Sequence, residues 1–190
     1  MRRIATIGKL LDRLGYTGRS GNAVGSDIEW DKHLQMLHIL PHNGHRSSEG
    51  LPKRYHDNVN YVALEVCPLH IREQALRIIR PIIRNFDDRP ESHRNLHLRN
   101  VFQPLGLDLK DHARLTVYTA PETRYGTVAG GTRSAVMISR NYGIPTYNLR
   151  IDSQFYQLKE ILENELKTQI DNDNKSYYNT DSTLGNFCST

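Results

Sequence analysis

Two glycine-rich loops, each set between a short strand candidate and a helix candidate, constrain this chain more than any other feature. The first lies in GRSGNAVGSD, from Gly18 to Asp27, behind a strand candidate at Tyr16-Thr17-Gly18 and ahead of a helix starting near Ser26 or Asp27. The second, TVAGGT at Thr127–Thr132, lies between a strand candidate at Arg114–Thr119 and a helix over 133–141. In such a unit the loop sits at the carboxyl end of a strand, glycines let the backbone approach a ligand, and the next helix turns its free N–H groups toward it. A phosphate or ribose is the natural guest. Neither loop matches the dinucleotide fingerprint GxGxxG or the P-loop GxxxxGK[ST], so a conventional NAD or ATP site is not supported.

The remaining elements fit the same plan. Ile4, Ile7, Leu10, Leu11 and Leu14 recur at helical spacing and Gly15 follows as a stop, which predicts a helix over 1–14. Met36–Leu40 (MLHIL), ended by Pro41, suits a buried strand, and residues 42–60 read as a long polar loop. A helix is expected over 69–83, bent or ended near Arg80 by Pro81, and a shorter one over 96–105. Gly143 should end the helix over 133–141, with a strand at 144–149 and a last helix over 155–166, whose apolar face is Phe155, Leu158, Ile161, Leu162 and Leu166. Strands alternating with helices predict an α/β fold: a Rossmann-like, mainly parallel sheet flanked by helices. One folded domain over 1–170 is expected. Residues 171–190 (DNDNKSYYNTDSTLGNFCST) lack an apolar period and read as a polar, disordered tail.

Composition narrows the setting. The chain of 190 residues fits one domain, and no apolar run approaches the roughly 18–20 residues of a membrane span. The N-terminus lacks the apolar core of a secretory signal, and Cys67 and Cys188 form neither a disulfide framework nor a zinc pattern, so a reducing cytoplasm is the expected location. The net charge of +4 is a mild bias toward anionic partners. In IREQALRIIRPIIR the isoleucines 71, 78, 79, 82 and 83 and Ala75 share a stripe, and Arg72, Arg77, Arg80 and Arg84 mostly fall off it. This is either a solvated face or a phosphate-contacting one. The histidines show no metal-ligand spacing beyond HNGH at 42–45, so no metal and no cofactor is expected.

Four segments carry a resemblance. Arg19-Ser20-Gly21-Asn22-Ala23-Val24-Gly25-Ser26-Asp27, Leu96-His97-Leu98-Arg99-Asn100-Val101-Phe102-Gln103, Gly130-Gly131-Thr132 with Ala135, and Gly143-Ile144-Pro145-Thr146-Tyr147-Asn148-Leu149 come in that order. Together they resemble the YpsA-like branch of the SLOG proteins, relatives of LOG and DprA. The resemblance implies a Rossmann-like fold and a nucleotide-derived ligand. It places Arg19, Ser20, Gly21 and Gly25 around a phosphate or ribose. Asp27 would sit at the next helix N-terminus, as a ligand contact or a plain cap. Arg99, beside Asn100, would face the ligand as a fixed charge, or else form a surface ion pair. Gly130, Gly131 and Thr132 would close the site, with Thr132 alternatively an ordinary N-cap. His97, two residues before Arg99 and so on another helix face, reads as a structural hydrogen bond ahead of a catalytic role.

Two departures shape the functional expectation. Proteins of this group begin with a strand and glycine loop ahead of the first helix, whereas this sequence starts inside that helix. Either the true start lies upstream or the sheet is rebuilt, for instance through a partner chain. LOG enzymes also carry a glutamate just after the glycine–threonine loop, where this chain has Arg133, Ser134 and Ala135. Cleavage of an N-glycosidic bond needs such a carboxylate. The expected function is therefore binding of an ADP-ribose-type molecule or cyclic nucleotide signal without turnover. In a phage-type member this would suit sequestration of an immune signal in the host cytoplasm. A nucleotide phosphoribohydrolase is the alternative, and DprA-like nucleic-acid handling ranks third because a strand-binding groove's aromatic and basic interleaving is missing. A homo-oligomer is expected.

Overall fold

The computed structural model describes residues 2–22, 25–41 and 60–184, with six α-helices and five strands among them. In chain order these are α1 (Arg2–Arg13), β1 (Gly18–Ser20), α2 (Ser26–Asp31), β2 (Met36–Leu40), β3 (Asn60–Ala63), α3 (Leu69–Ile79), α4 (Glu91–Leu105), β4 (Thr116–Tyr118), α5 (Thr132–Asn141), β5 (Thr146–Asn148) and α6 (Asp152–Leu184). A 3₁₀ turn at Leu64–Val66 joins β3 to α3. The fold is mixed α/β, and every strand pair is parallel.

Strand parity divides the core. On β2, Met36 joins Ile4, Ile7, Leu11, Trp30, Leu34, Phe155, Leu158 and Leu162 on the face covered by α1 and α6. Ile39 points the other way, into a cluster with Ala75 and Ile79 of α3 and Leu98, Val101, Phe102 and Leu105 of α4. This is the period-two alternation of a strand buried on both faces. The helices contribute stripes of the expected kind: Ile4, Ile7 and Leu11 of α1 are buried, and Gly15, with φ +77°, turns the chain out of that helix. Each fully buried Leu or Ile here is worth about 1.5–3 kcal/mol. Ala75 and Ile79 of α3 are buried while Arg77, and Arg80 at its C-cap, are exposed on the solvated side; Arg72 is half-buried.

Several boundaries differ from the sequence reading. The first strand is Gly18–Ser20 rather than 16–18, because pairing starts where the Gly18 N–H reaches the carbonyl of Gln35 at 2.8 Å. β3 was not expected. Its four residues, Asn60-Tyr61-Val62-Ala63, are too few for a periodic signal and form a strand by pairing with 37–40 of β2. α4 begins at Glu91 behind Pro90, a full turn earlier than its apolar residues suggest, since proline favours a helix start. α6 runs on to Leu184, past the point where a polar tail was expected, as propagation of an established helix is inexpensive. Residues 42–59, with the HNGH segment, lie outside the described residues.

The largest difference is in the sheet. A single sheet was expected, but the described strands form two, ordered β1-β2-β3 and β4-β5. No described strand joins β1 to β4. In a parallel ladder alternate residues bond to opposite neighbours. Gly18 bonds toward β2, and Thr116 bonds toward β5 through the carbonyl of Pro145 at 2.8 Å. The main-chain groups of Arg19 and Val117, one residue further on, therefore face the other edge of each sheet.

Candidate functional site

Those two edges border a cavity of about 800 Å³, lined by 16–21 from the β1 side and by 111–119 from the β4 side. Leu11, Trp30, Leu34 and Met36 form one apolar wall, and Leu96, Ala135 and Val136 another. Its polar groups gather where β1 and β4 end: Ser20, Gly21, Asp27, Arg99, Asn100, Gly131 and Thr132 all lie on it. The two glycine loops, 110 residues apart between Gly21 and Gly131, thus share one site.

Helix α4 brings them together. Arg99, only 9% exposed, donates Nη1 to the carbonyl of Gly21 in the first loop. Its neighbour Asn100 donates Nδ2 to the carbonyl of Gly131 in the second loop at 3.0 Å and to Ser134 Oγ at 2.8 Å. Gln103, one turn on, donates to Asn100 Oδ1 at 3.1 Å. Gly21 is required by this clamp, because an added Cβ would stand 2.6 Å from Arg99 Cζ and 2.9 Å from Gln103 Nε2. Arg99 is therefore not a surface ion pair. Its Nε is buried and has no hydrogen-bond partner among the described residues. Burial pushes the guanidinium pKa down and the nearby charge of Asp27 acts against that shift. A buried cation on the wall of a cavity favours an anionic guest.

The other expected residues divide. Neither Asp27 nor Thr132 is the cap of its helix: the N-cap positions of α2 and α5 are Gly25 and Gly131, and neither helix has a side-chain cap bond. Gly25 does not line the cavity, and its φ of +107° shows a turn role instead. Gly130 lines a smaller cavity of about 380 Å³ with Arg89, His97 and Arg133. Arg19 lies on the main cavity, but its guanidinium bonds the Asp111 carbonyl at 2.8 Å and pairs with the Asp111 carboxylate at 3.5 Å. His97 Nδ1 stands 3.5 Å from Ser134 Oγ, and burial, helped by Arg89 and His93, lowers its pKa.

The carboxylates sort by position. Glu122 is held by Arg140 at 2.8 Å, by the Tyr118 hydroxyl at 3.1 Å and by Asn148 Nδ2 at 3.2 Å, outside the main cavity. Burial opposes its ionisation, but the hydrogen bonds from Arg140, Asn148 and Tyr118 outweigh that and lower its pKa. Burial and the Glu122 bond push the Tyr118 phenol up to about 12. Glu29 is paired with Lys32 at 2.6 Å and His33 at 3.3 Å and does not line the cavity. Asp27 and Asp111 are the carboxylates on the cavity, and Asp111 is the partner of Arg19.

The sequence reading missed one constellation. Ser20 and His38 are directly opposed in the β1–β2 ladder, with Ser20 Oγ 2.6 Å from His38 Nδ1. His38 Nε2 is 2.9 Å from Asp31 Oδ1 at the end of α2. Tyr61, opposite His38 in the β2–β3 ladder, stacks on the imidazole with centroids 5.2 Å apart. The available signal was His38 itself, a polar residue inside the apolar run MLHIL, which a buried strand tolerates only with partners.

Among the described residues no cluster of His, Cys, Asp or Glu could hold a metal ion, and no helix is long and apolar enough to cross a membrane. In comparisons with known proteins, no family model, no curated protein and no solved structure matches this chain.

Proposed function

We propose that the chain binds an anionic, nucleotide-derived small molecule of the ADP-ribose or cyclic-nucleotide type where β1 and β4 end. The observation that carries this reading is Arg99: a buried guanidinium with an unpartnered Nε, bonded to the first glycine loop on the cavity wall, beside Asn100 on the second. Phosphate oxygens would accept from Arg99 and from the main chain at Gly21 and Gly131. The apolar walls around Trp30 and Leu96 would take a base. The cavity falls in the roughly 300–1,000 Å³ range of small-molecule sites. No carboxylate follows the second glycine loop, so the ligand's N-glycosidic bond stays intact in this reading. Capture of a signalling nucleotide in the cytoplasm is the use that follows.

The test is a thermal-shift and calorimetry panel of ADP-ribose, cyclic ADP-ribose and nucleoside monophosphates on the full chain and on Arg99→Ala. A ligand at about 100 times its Kd adds about 2.7 kcal/mol. That corresponds to a Tm rise of about 5–10 °C in a domain of this size, absent in the variant. No stabilisation by any member would end the proposal.

A second reading has its own observation. Asp27 lies on the same cavity as Arg99 and close enough to influence its ionisation. That pairing of a carboxylate with an arginine is what a nucleotide phosphoribohydrolase would use against an oxocarbenium-like transition state. Release of free base from a monophosphate, lost in Asp27→Asn, would favour it over simple binding.

A further inference from the structure

The geometry points to Ser20 as a nucleophile that cleaves a carboxylic ester, with His38 as its general base and Asp31 as the residue that orients the base. This inference does not depend on the nucleotide reading. It rests on the order of three hydrogen-bonded groups and on which of them the cavity reaches.

The proton positions follow from the partners. Asp31 as carboxylate can only accept, so the 2.9 Å contact puts the imidazole proton on Nε2. Nδ1 then presents a lone pair, and at 2.6 Å it accepts from the Ser20 hydroxyl. The Asn22 N–H donates to the same Oγ from 3.3 Å, which leaves the hydroxyl proton directed at His38. Asn22 has φ +56°, so the chain turns sharply just after the serine. Nucleophile, base and orienting carboxylate therefore stand in the relation that activates a serine in acyl transfer, with the roles of the two ring nitrogens exchanged relative to the serine-protease arrangement.

Access is graded along the relay. Ser20 lines the main cavity and keeps 7% exposure, whereas His38 is 0% exposed and the Asp31 side chain 1%. Tyr61 covers the imidazole face. Only the hydroxyl end meets the cavity, and the dry remainder keeps the Asp31–His38 interaction strong. The guanidinium of Arg99 sits on the carbonyl of Gly21, the residue after the nucleophile, with Nε unpartnered. Arg99 lines the same cavity as Ser20 and is the cation this proposal assigns to the developing oxyanion.

The step balances without further reagents. Ser20 Oγ attacks the ester carbonyl carbon as its proton passes to His38 Nδ1, giving a tetrahedral oxyanion. The carbon–oxygen bond to the alcohol breaks, the alcohol leaves with the proton from Nδ1, and the acyl group stays on Ser20. Water, deprotonated by Nδ1, then attacks the acyl carbon, the carboxylic acid departs, and the proton returns to Ser20. An ester that fits about 800 Å³ is the substrate class.

The test uses the full chain and a fluorophosphonate probe, followed by proteolysis and mass mapping. The expected result is one adduct on Ser20, turnover of p-nitrophenyl acetate that the adduct abolishes, and no adduct in Ser20→Ala. Asp31→Asn should slow labelling by about 100-fold or more, as loss of base orientation does. No adduct on Ser20 in the wild type, or an adduct confined to other residues, overturns the proposal without recourse to any variant. A folded Asp31→Asn that labels at the wild-type rate overturns the role given to Asp31.

Discussion

Gly21→Ala offers the sharpest check of the clamp on α4. The new Cβ would lie 2.6 Å from Arg99 Cζ and 2.7 Å from Nη2, against an ordinary contact distance of 3.4 Å or more. The guanidinium must therefore retreat by about 0.8 Å. Such a retreat lengthens or breaks its bond to the Gly21 carbonyl. Loss of a hydrogen bond to a charged group costs about 1.5–3 kcal/mol. Urea unfolding should therefore show a loss of about 2–3 kcal/mol with an unchanged m-value, and the Tm should fall by about 5–10 °C. The control is Gly131→Ala in the second loop, where nothing lies within 4 Å of the new Cβ and φ is −63°. Its effect should stay within about 1 kcal/mol. A Gly21→Ala protein as stable as the wild type, or an equal loss in both variants, would refute the clamp.

Further outcomes follow from the same structure. Glu122 has its pKa lowered in the fold, so its contribution is present above the unfolded value near 4.5 and is lost as pH falls below it; urea midpoints should drop there in the wild type and less so in Glu122→Gln. The His97 pKa is also lowered, so stability should begin to fall as pH drops through the unfolded value near 6.5, and His97→Asn should flatten that limb of the profile. Leu158→Ala removes a fully buried side chain between α1 and α6 and should cost about 2–5 kcal/mol in urea unfolding.

How much of this was legible in the sequence depended on how local each signal was. The α1 stripe, the MLHIL strand and the end of α3 near Pro81 were readable because periodicity and proline act over a few residues. β3 was not, since Asn60–Ala63 is a strand only through its register with β2. The resemblance implied that Ser20, Gly21, Arg99, Asn100 and Gly131 share a site, and they do line one cavity, but their division of labour was not legible. Nothing local says that Arg19 would be taken by Asp111, that Gly25 would serve a turn, or that Gly130 would face the smaller cavity. The Ser20–His38–Asp31 relay was hidden for the same reason: its members are 18 and 7 residues apart and meet only across a ladder and beneath a helix end.

The break between β1 and β4 should also leave a signature in amide hydrogen exchange. In a continuous parallel sheet the central strands exchange last, because each is bonded on both flanks and opens only with the whole domain. Here the middle of the fold is a seam. β2, bonded on both sides by β1 and β3, should hold its protons longest. The amides of Arg19 and Val117, which face away from the described ladders, should exchange through small openings far below the global unfolding free energy. Whatever fills the seam would be read directly as the slowing of those two amides.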